Sequence, residues 1–453
     1  MAIKFLPLGG AEEIGANCYY VNISGVGIIL DCGIHPQKTG TEALPAFDLI
    51  TDKQLDHVLI SHAHQDHLGA LPFLIKLHPY LRITTTPQTR ALAEVTLHNT
   101  ISILKEQVPK TDKLDVYTHE EIDLLIRSIN YKSYNEDFEV SGYSYRDEKI
   151  KVQFFDAGHI LGAAGILLES GGKKIFYTGD IDIDNQELIP GADLPDTKID
   201  TLILETTYGS TDSSSILKWH EESQRFASLV NKILNDGGSV LVPVFSLGKM
   251  QELLTTIWNL MCSGKMTQTE IYTGGVARKI SRIYDYNRYS VRSINPELEI
   301  SNIPQNDLYE ATQPGNFFKN PCIVLASSGM MIEGTASYNL ARHWIKQSKS
   351  AIFTVGYMEA STPGYKFANA KKGGRIQLNE FTSEEIKCSI ENFRFPSHSR
   401  REGLLEIVHK LHPENVILVH GEPESISWIG AEIIKSYKST KVYVAKLGYE
   451  IVF

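Results

Sequence analysis

The sequence predicts an α/β protein built of two domains, one inserted into the other. Three observations carry this. Short β-branched runs in the first half each end in an acid or a histidine. A middle stretch alternates strand, loop and helix without that ending. The first pattern then returns near the C-terminus. The length of 453 residues also exceeds what one ordinary core encloses.

The elements follow in order. "GVGIILDCG", "LDHVLISHAH", "GKKIFYTGDID", "IDTLILETTYG" and, far downstream, "ENVILVHGEP" read as buried strands. In α/β sheets functional groups gather beyond strand ends, so Asp31, Ser61, His62, Asp180, Glu205 and His420 are expected along one edge. None of these residue types belongs in a core, so packing alone does not explain them. After the serine-rich "TTYGSTDSSS", the stretch "GGSVLVPVFSLGKMQELLTTIWNL" reads as strand, tight turn and helix. "EIYTGGVARKISRIYDY", "NPCIVLASSGMMIEGTASYNLARHWI" and "SAIFTVGYMEASTPG" repeat that theme, which predicts an open, mostly parallel sheet covered by helices. The expected divisions are 1–208, an insertion at 209–385, and a return at 386–453.

Composition bounds the function. Hydrophobic residues make up 42% and charged residues 22%, as in a soluble globular protein. No apolar run is long enough to span a membrane, and "MAIKFLPLGGAEEIG" reaches glycines and acids too soon for a signal peptide. Cys18, Cys32, Cys262, Cys322 and Cys388 lack C-x-x-C spacing, which argues against a disulfide framework and for a reducing cytoplasm. The formal net charge of −10 gives no global attraction to nucleic acid, so a polyanion would need a local basic patch or a metal site.

The chemistry concentrates in "SHAHQDHLGA". His62 and His64, two apart in an extended loop, can face one point. Asp66 and His67, at a loop-to-helix transition, can aim at a second. Imidazole and carboxylate without thiolate suit zinc, with manganese as the alternative, and argue against a structural cysteine site. His159 in "AGHILGA" sits among small residues where backbone can approach closely, and Asp180 ends "IFYTGD". A carboxylate there can bridge two metal ions. Asp31 stands as a ligand or as an acceptor that orients a ligand histidine, the second being favoured.

Taken together, "HAHQDH", "AGHILGA" and "YTGD" behind "LDCG" resemble the metallo-β-lactamase superfamily. "LETTYG", "PVFSLGKMQELL", "ASSGMM", "VGYMEASTPG", "FPSHSR" and "VILVHGE" resemble the motifs of its β-CASP branch, which processes nucleic acids. That branch includes ribonuclease J and the pre-mRNA 3′-end cleavage endonuclease. The resemblance implies an αββα sandwich carrying an inserted α/β β-CASP domain, with substrate in the cleft between them. It implies two zinc ions: one on His62, His64 and His159, the other on Asp66, His67 and His420, with Asp180 and a hydroxide bridging. His398, supported by Glu205, would protonate the leaving oxygen or grip the scissile phosphate. Asp66, His398, Glu205 and Asp31 form the implied catalytic set. His420 points to RNA rather than DNA, and the family suggests a homodimer with no membrane attachment.

Four segments depart from the family pattern. Ser399 and Arg400 replace a small residue followed by Asp, "STDSSS" replaces a basic loop, "YTGGVA" replaces D-S-P-M-A, and "MMIEGT" lacks paired glycines. Arg400 and Arg401 are candidate phosphate ligands. Ser327, Ser328 and Gly329 are candidates to offer backbone N–H groups to a phosphate at a helix N-terminus. His78, His98, His409 and His412 read as surface or core residues without a companion ligand. The reading is a dizinc ribonuclease, endo- or 5′ exo-acting. Its alternatives are a DNA nuclease, a small-ester hydrolase and a catalytically weak RNA-binding scaffold.

Overall fold

The computed structural model describes residues 3–107, 115–144, 148–310, 314–356, 358–379 and 382–453. The chain divides into two compact units. One holds Met1–Asp184, Gly191–Ser213 and His398–Phe453; the other holds Asn185–Pro190 and Ser214–Ser397.

The first unit contains two seven-stranded sheets. In one, Ile451–Val452, Lys4–Gly9, Cys18–Ile23 and Val26–Leu30 run antiparallel, and His57–Leu59, Arg82–Thr85 and Asn130–Tyr131 continue in parallel. In the other, Lys441–Val444, Asn415–Val419, Thr201–Glu205 and Lys173–Tyr177 are parallel, followed by antiparallel Ala164–Ser170, Lys149–Asp156 and Phe138–Ser141. Phe5, Val21, Ile28 and Leu30 from the first sheet share one core with Val152, Phe154, Ile166, Ile203 and Ile417 from the second. The sheets therefore pack face to face. Helix Pro423–Ser436 covers the Asn415–Val419 side, and helices Leu71–Leu77, Pro87–Gln107 and His119–Ser128 pack together elsewhere.

The second unit is a six-stranded, all-parallel sheet. Its order is Asn306–Asp307, Glu270–Thr273, Cys322–Ala326, Val240–Pro243, Ala351–Val355 and Ser389–Phe393. Such sheets are buried on both faces, and Val240–Pro243, Cys322–Ala326 and Ala351–Val355 are buried at every position. Helices Trp219–Asn235, Lys249–Cys262, Gly275–Asn287, Ala336–Trp344 and Pro363–Ala368 alternate with the strands. The last strand of the sheet, Ser389–Phe393, lies beyond residue 385, where the sequence placed the end of the insertion. Its five residues carry no acid or histidine at their C-terminal end that would have marked it as part of either pattern. Among the described residues no helix is long and apolar enough to cross a membrane.

Candidate metal centre

Six site residues of the first unit lie at or just beyond the C-terminal end of a strand, while Asp66 and His67 sit in the short helix Gln65–Leu68. Asp31 follows Val26–Leu30, His62 follows His57–Leu59, His159 follows Lys149–Asp156, Asp180 follows Lys173–Tyr177, Glu205 ends Thr201–Glu205, and His420 follows Asn415–Val419. Contrary to the expectation that they lie outside the core, all six are buried, with Asp31 and His62 at 0% exposure and His420 at 3%. Burial of such groups is tolerable only when they are paired.

Gly33 permits the convergence locally: a Cβ there would overlap the Asp66 carbonyl. Gly158, with φ +68°, does the same beside His159, where a Cβ would strike the Asp182 carbonyl. Asp31 and His420 themselves adopt left-handed backbone, φ +58° and +47°, a region that Asp and His enter more readily than most residues. Their amides donate to Leu59 and Gly10 carbonyls, which holds them there.

The ligand atoms fall into two groups. His62 Nε2 and His159 Nε2 each lie 3.1 Å from His64 Nδ1, and Asp180 Oδ2 lies 3.5 and 3.6 Å from the first two. Asp66 Oδ2 lies 3.6 Å from His67 Nε2 and 3.4 Å from His420 Nε2. Asp180 Oδ1 reaches this second group, 3.2 Å from His67 Nε2 and 2.9 Å from His420 Nδ1. In each group the donor atoms lie within 4.8 Å of one another. Buried Asp180 Oδ1 and His420 Nε2 have no hydrogen bond of sound geometry. An all-imidazole and carboxylate donor set with buried, unsatisfied atoms fits divalent metal ions.

Electrostatics separates the two groups. Burial drives His62 and His64 below the ordinary histidine range, helped for His62 by neighbouring His67. Burial also disfavours charge on His67 and His420, but nearby carboxylates outweigh it. Asp180, Asp66 and Asp31 hold His67 well above its usual range, and Asp180 and Asp66 push His420 up to about 10. Burial raises Asp180 as well, yet His420 and His67 bring its carboxyl well below the usual range. Without metal, the second group therefore balances its carboxylates with protons.

Asp31 meets no other member of the ligand set than His67. Its Oδ2 lies 2.8 Å from His67 Nδ1 and accepts from Ser61 Oγ (2.6 Å) and Tyr177 OH (2.7 Å), and its Oδ1 accepts from the Ser61 amide (2.6 Å). These contacts set Asp31 behind His67, whose Nε2 faces Asp180. Glu205 Oε1 lies 2.9 Å from His398 Nδ1, while the Ile181 and Thr207 amides donate to its two oxygens at 3.0 Å. Those bonds commit Glu205 to aiming His398. Burial disfavours a proton on His398, but Glu205 and Asp180 raise it above the ordinary histidine value. Its Nε2 lies 4.0 Å from Asp180 Oδ2.

The "HSR" departure has a local explanation. Buried Ser399 donates its amide to the Ile181 carbonyl (2.7 Å) and accepts from the Ile183 amide (3.1 Å). Arg400 is bound to Asp184 at 2.9 and 3.2 Å, and Arg401 pairs with Asp212 at 3.1 Å and stacks over Trp428. His398, Ser399 and Arg400 thus brace the segment just after Asp180, and both candidate phosphate arginines already hold carboxylates. Ser327, Ser328 and Gly329, in the second unit, do not open a helix. The next helix begins at Ala336 with Thr335 at its N-cap, and its Ser337 donates to the Ser327 and Ser328 carbonyls. His98 also differs from expectation, lying 2.7 Å from His119 Nδ1 and 3.1 Å from Asp123.

Sequence reasoning missed Tyr177 and Asn17. Tyr177 precedes "TGD" and donates to Asp31; Asn17 donates to the Asp66 carbonyl (3.1 Å) and lies 3.0 Å from His67 Nε2. Both act across more than 45 residues, and no local spacing signals them.

The comparisons with known proteins agree with this geometry. Residues 20–207 match a metallo-β-lactamase superfamily domain, 250–367 a β-CASP domain, and 383–445 a Zn-dependent metallo-hydrolase RNA specificity domain. The chain is 31% identical to an RNase J-like protein of Methanocaldococcus jannaschii, covering 91% of each. It is 32% identical to cleavage and polyadenylation specificity factor 73 of Drosophila melanogaster, over 96% of this chain and 62% of that one. It is 28% identical to Integrator complex subunit 11 of Danio rerio, over 96% and 72%. The chain thus spans less than two thirds of the Drosophila relative. A crystal structure of an Enterococcus faecalis protein of unknown function shares the fold, with TM-score 0.60 at 14% identity over all of both chains.

Proposed function

This chain belongs to the β-CASP branch of the metallo-β-lactamase superfamily, and from that premise we propose that it is a metal-dependent ribonuclease. The observation that carries the reading is Asp180. It is buried, its two oxygens face two separate histidine groups, and one oxygen lacks a hydrogen bond. His62, His64 and His159 would hold one zinc ion, and Asp66, His67 and His420 a second, with Asp180 between them. When bound, such ions supply Lewis acidity that lowers the pKa of water and offsets charge on a phosphate.

The chain's own residues do the rest. Asp31 fixes the His67 ring through Nδ1. Glu205 fixes His398 through Nδ1, which leaves Nε2 as the atom able to deliver a proton. The raised proton affinity of His398 suits it to protonate the departing ribose oxygen. The RNA specificity domain matched at 383–445 spans both His398 and His420 and supports RNA as substrate.

Purified chain loaded with zinc or manganese should cut a single-stranded RNA oligonucleotide and stop on chelation. Matched RNA and DNA substrates, with 5′-phosphate or 5′-hydroxyl ends, would report sugar preference and polarity from product lengths. Metal-loaded protein that leaves RNA intact across pH and salt would sink the proposal.

A further inference from the structure

The chain is acidic overall, yet one helix of the second unit is not. From Gly275 to Arg292 the sequence "GVARKISRIYDYNRYSVR" carries Arg278, Lys279, Arg282, Arg288 and Arg292 against the one acid Asp285. Helix Gly275–Asn287 buries Ala277, Ile280, Ser281 and Tyr284. Lys279, Arg282 and Tyr286 follow one another at intervals of three and four on the opposite face, and all are exposed. Tyr289 follows just past the helix end and is exposed as well. Tyr286 is 85% and Tyr289 63% exposed, which is unusual for such large rings.

The surrounding acids are already occupied. Both Asp285 oxygens accept backbone amides, from Ile300 (2.7 Å) and Ser301 (3.0 Å). Glu299 is held by Arg288 at 2.6 Å, and Asp307 by Arg278 at 3.4 Å. Glu297 accepts the Tyr289 hydroxyl at 3.2 Å, and the Arg288 guanidinium lies over that ring at 4.7 Å. Lys279 and Arg282 have no carboxylate within ion-pair distance among the described residues. Free cations beside exposed aromatic rings are the combination that single-stranded nucleic acid uses: phosphates meet the charges and bases stack on the rings.

We propose that this face is a sequence-tolerant platform for single-stranded RNA, with Lys279 and Arg282 on the backbone and Tyr286 and Tyr289 under bases. The proposal rests on the ribonuclease reading for its choice of RNA, and deepens it by supplying the local basic patch that a chain of net charge −10 requires.

The test measures equilibrium binding of a fluorescent 20-nucleotide RNA by the full chain, across a salt series, beside cleavage of the same RNA. Lys279→Glu with Arg282→Glu should weaken binding at least tenfold and flatten the salt slope by about 1.4, two phosphates at about 0.7 each. Tyr286→Ala with Tyr289→Ala should weaken binding about thirtyfold or more, at about 1–3 kcal/mol for each stacked base, with the salt slope unchanged. Circular dichroism checks that each exposed-face variant is folded. Wild-type affinity in the folded tyrosine variant overturns the platform. So does a change of oligomeric state with RNA affinity intact, which would assign the face to a second copy. If wild type cuts RNA while both variants bind it normally, the platform falls and the ribonuclease reading stands. Binding through these residues without any cleavage would do the reverse.

Discussion

Both units bury charged motif residues, but they treat them differently. In the second, helix Lys249–Cys262 opens with Lys249, Gln251 and Glu252, all buried. Lys249 Nζ donates to the Phe395 carbonyl at 2.6 Å. Gln251 receives the Gly248 amide and donates to Ser246 and Ala277. Glu252 accepts the amides of Glu187, Leu188 and Ile189. Each of these side chains finds a backbone partner, so the cluster is architectural: it pins residues 187–189 onto the helix. In the first unit Asp180 and His420 are equally buried, yet each keeps an atom unsatisfied. Burial alone therefore does not mark chemistry. Unmet bonding capacity inside a convergent set of imidazoles and carboxylates does, whereas a single unpaired atom such as Thr255 Oγ1 on that same helix does not.

The hardest test of this contrast is Asp180→Asn. It removes the charge shared by both histidine groups and should cut RNA cleavage by about 10^3-fold or more. Metal content, read by elemental analysis, should fall with it. Unchanged metal content and turnover would break the contrast. Next comes His398→Ala, which should lower kcat by about 10^2 to 10^4-fold while metal content holds. Loss of metal instead would make His398 a ligand rather than a proton donor.

Much of the first unit was legible because its signals are local. His62, His64, Asp66 and His67 crowd six positions, Asp180 and His420 each close a recognisable strand, and His159 stands out among small residues. The parallel sheet of the second unit was legible from alternating strand and helix patterns. What failed depended on distant partners. Arg400 looked free in sequence because Asp184 lies 216 residues away. Ser327 to Gly329 looked like a helix start, but the chain turns on through Gly334 and the helix begins only after Thr335, its N-cap. Asp31 was favoured as an acceptor behind a ligand histidine, but which histidine it serves shows only in its contacts with Ser61, His67 and Tyr177.

Within the metal centre a smaller effect separates the two groups. His62 and His64 favour the neutral state that ligation needs, whereas His67 and His420 favour the proton. Metal entering the second group must displace about two protons, so its apparent affinity should rise about 100-fold per pH unit near neutrality. The rise should flatten as pH passes about 10, where His420 has already released its proton. Calorimetric metal titrations in buffers of different ionisation enthalpy count those protons. Two ions binding with the same pH dependence would contradict the separation.

The smallest effect belongs to the architectural side. Burial pushes Glu252 up to about 7 from an ordinary value of 4.5, against the pull of its backbone donors and Lys249. A carboxyl with a higher pKa in the folded state binds more protons there than in the unfolded chain between pH 4.5 and 7. Its contribution to stability is therefore greatest at low pH and declines as pH rises through that window. Metal loss at low pH acts in the opposite direction, so the group must be isolated by difference. Denaturant unfolding of wild type and Glu252→Gln, both metal-free, should diverge across pH 4.5 to 7, with the wild type losing about 1–3 kcal/mol relative to the variant. Parallel curves would mean Glu252 stays ionised in its cradle of three amides. The second unit would then hold a buried charge by backbone bonds and the nearby Lys249, much as the first would hold its carboxylates by metal.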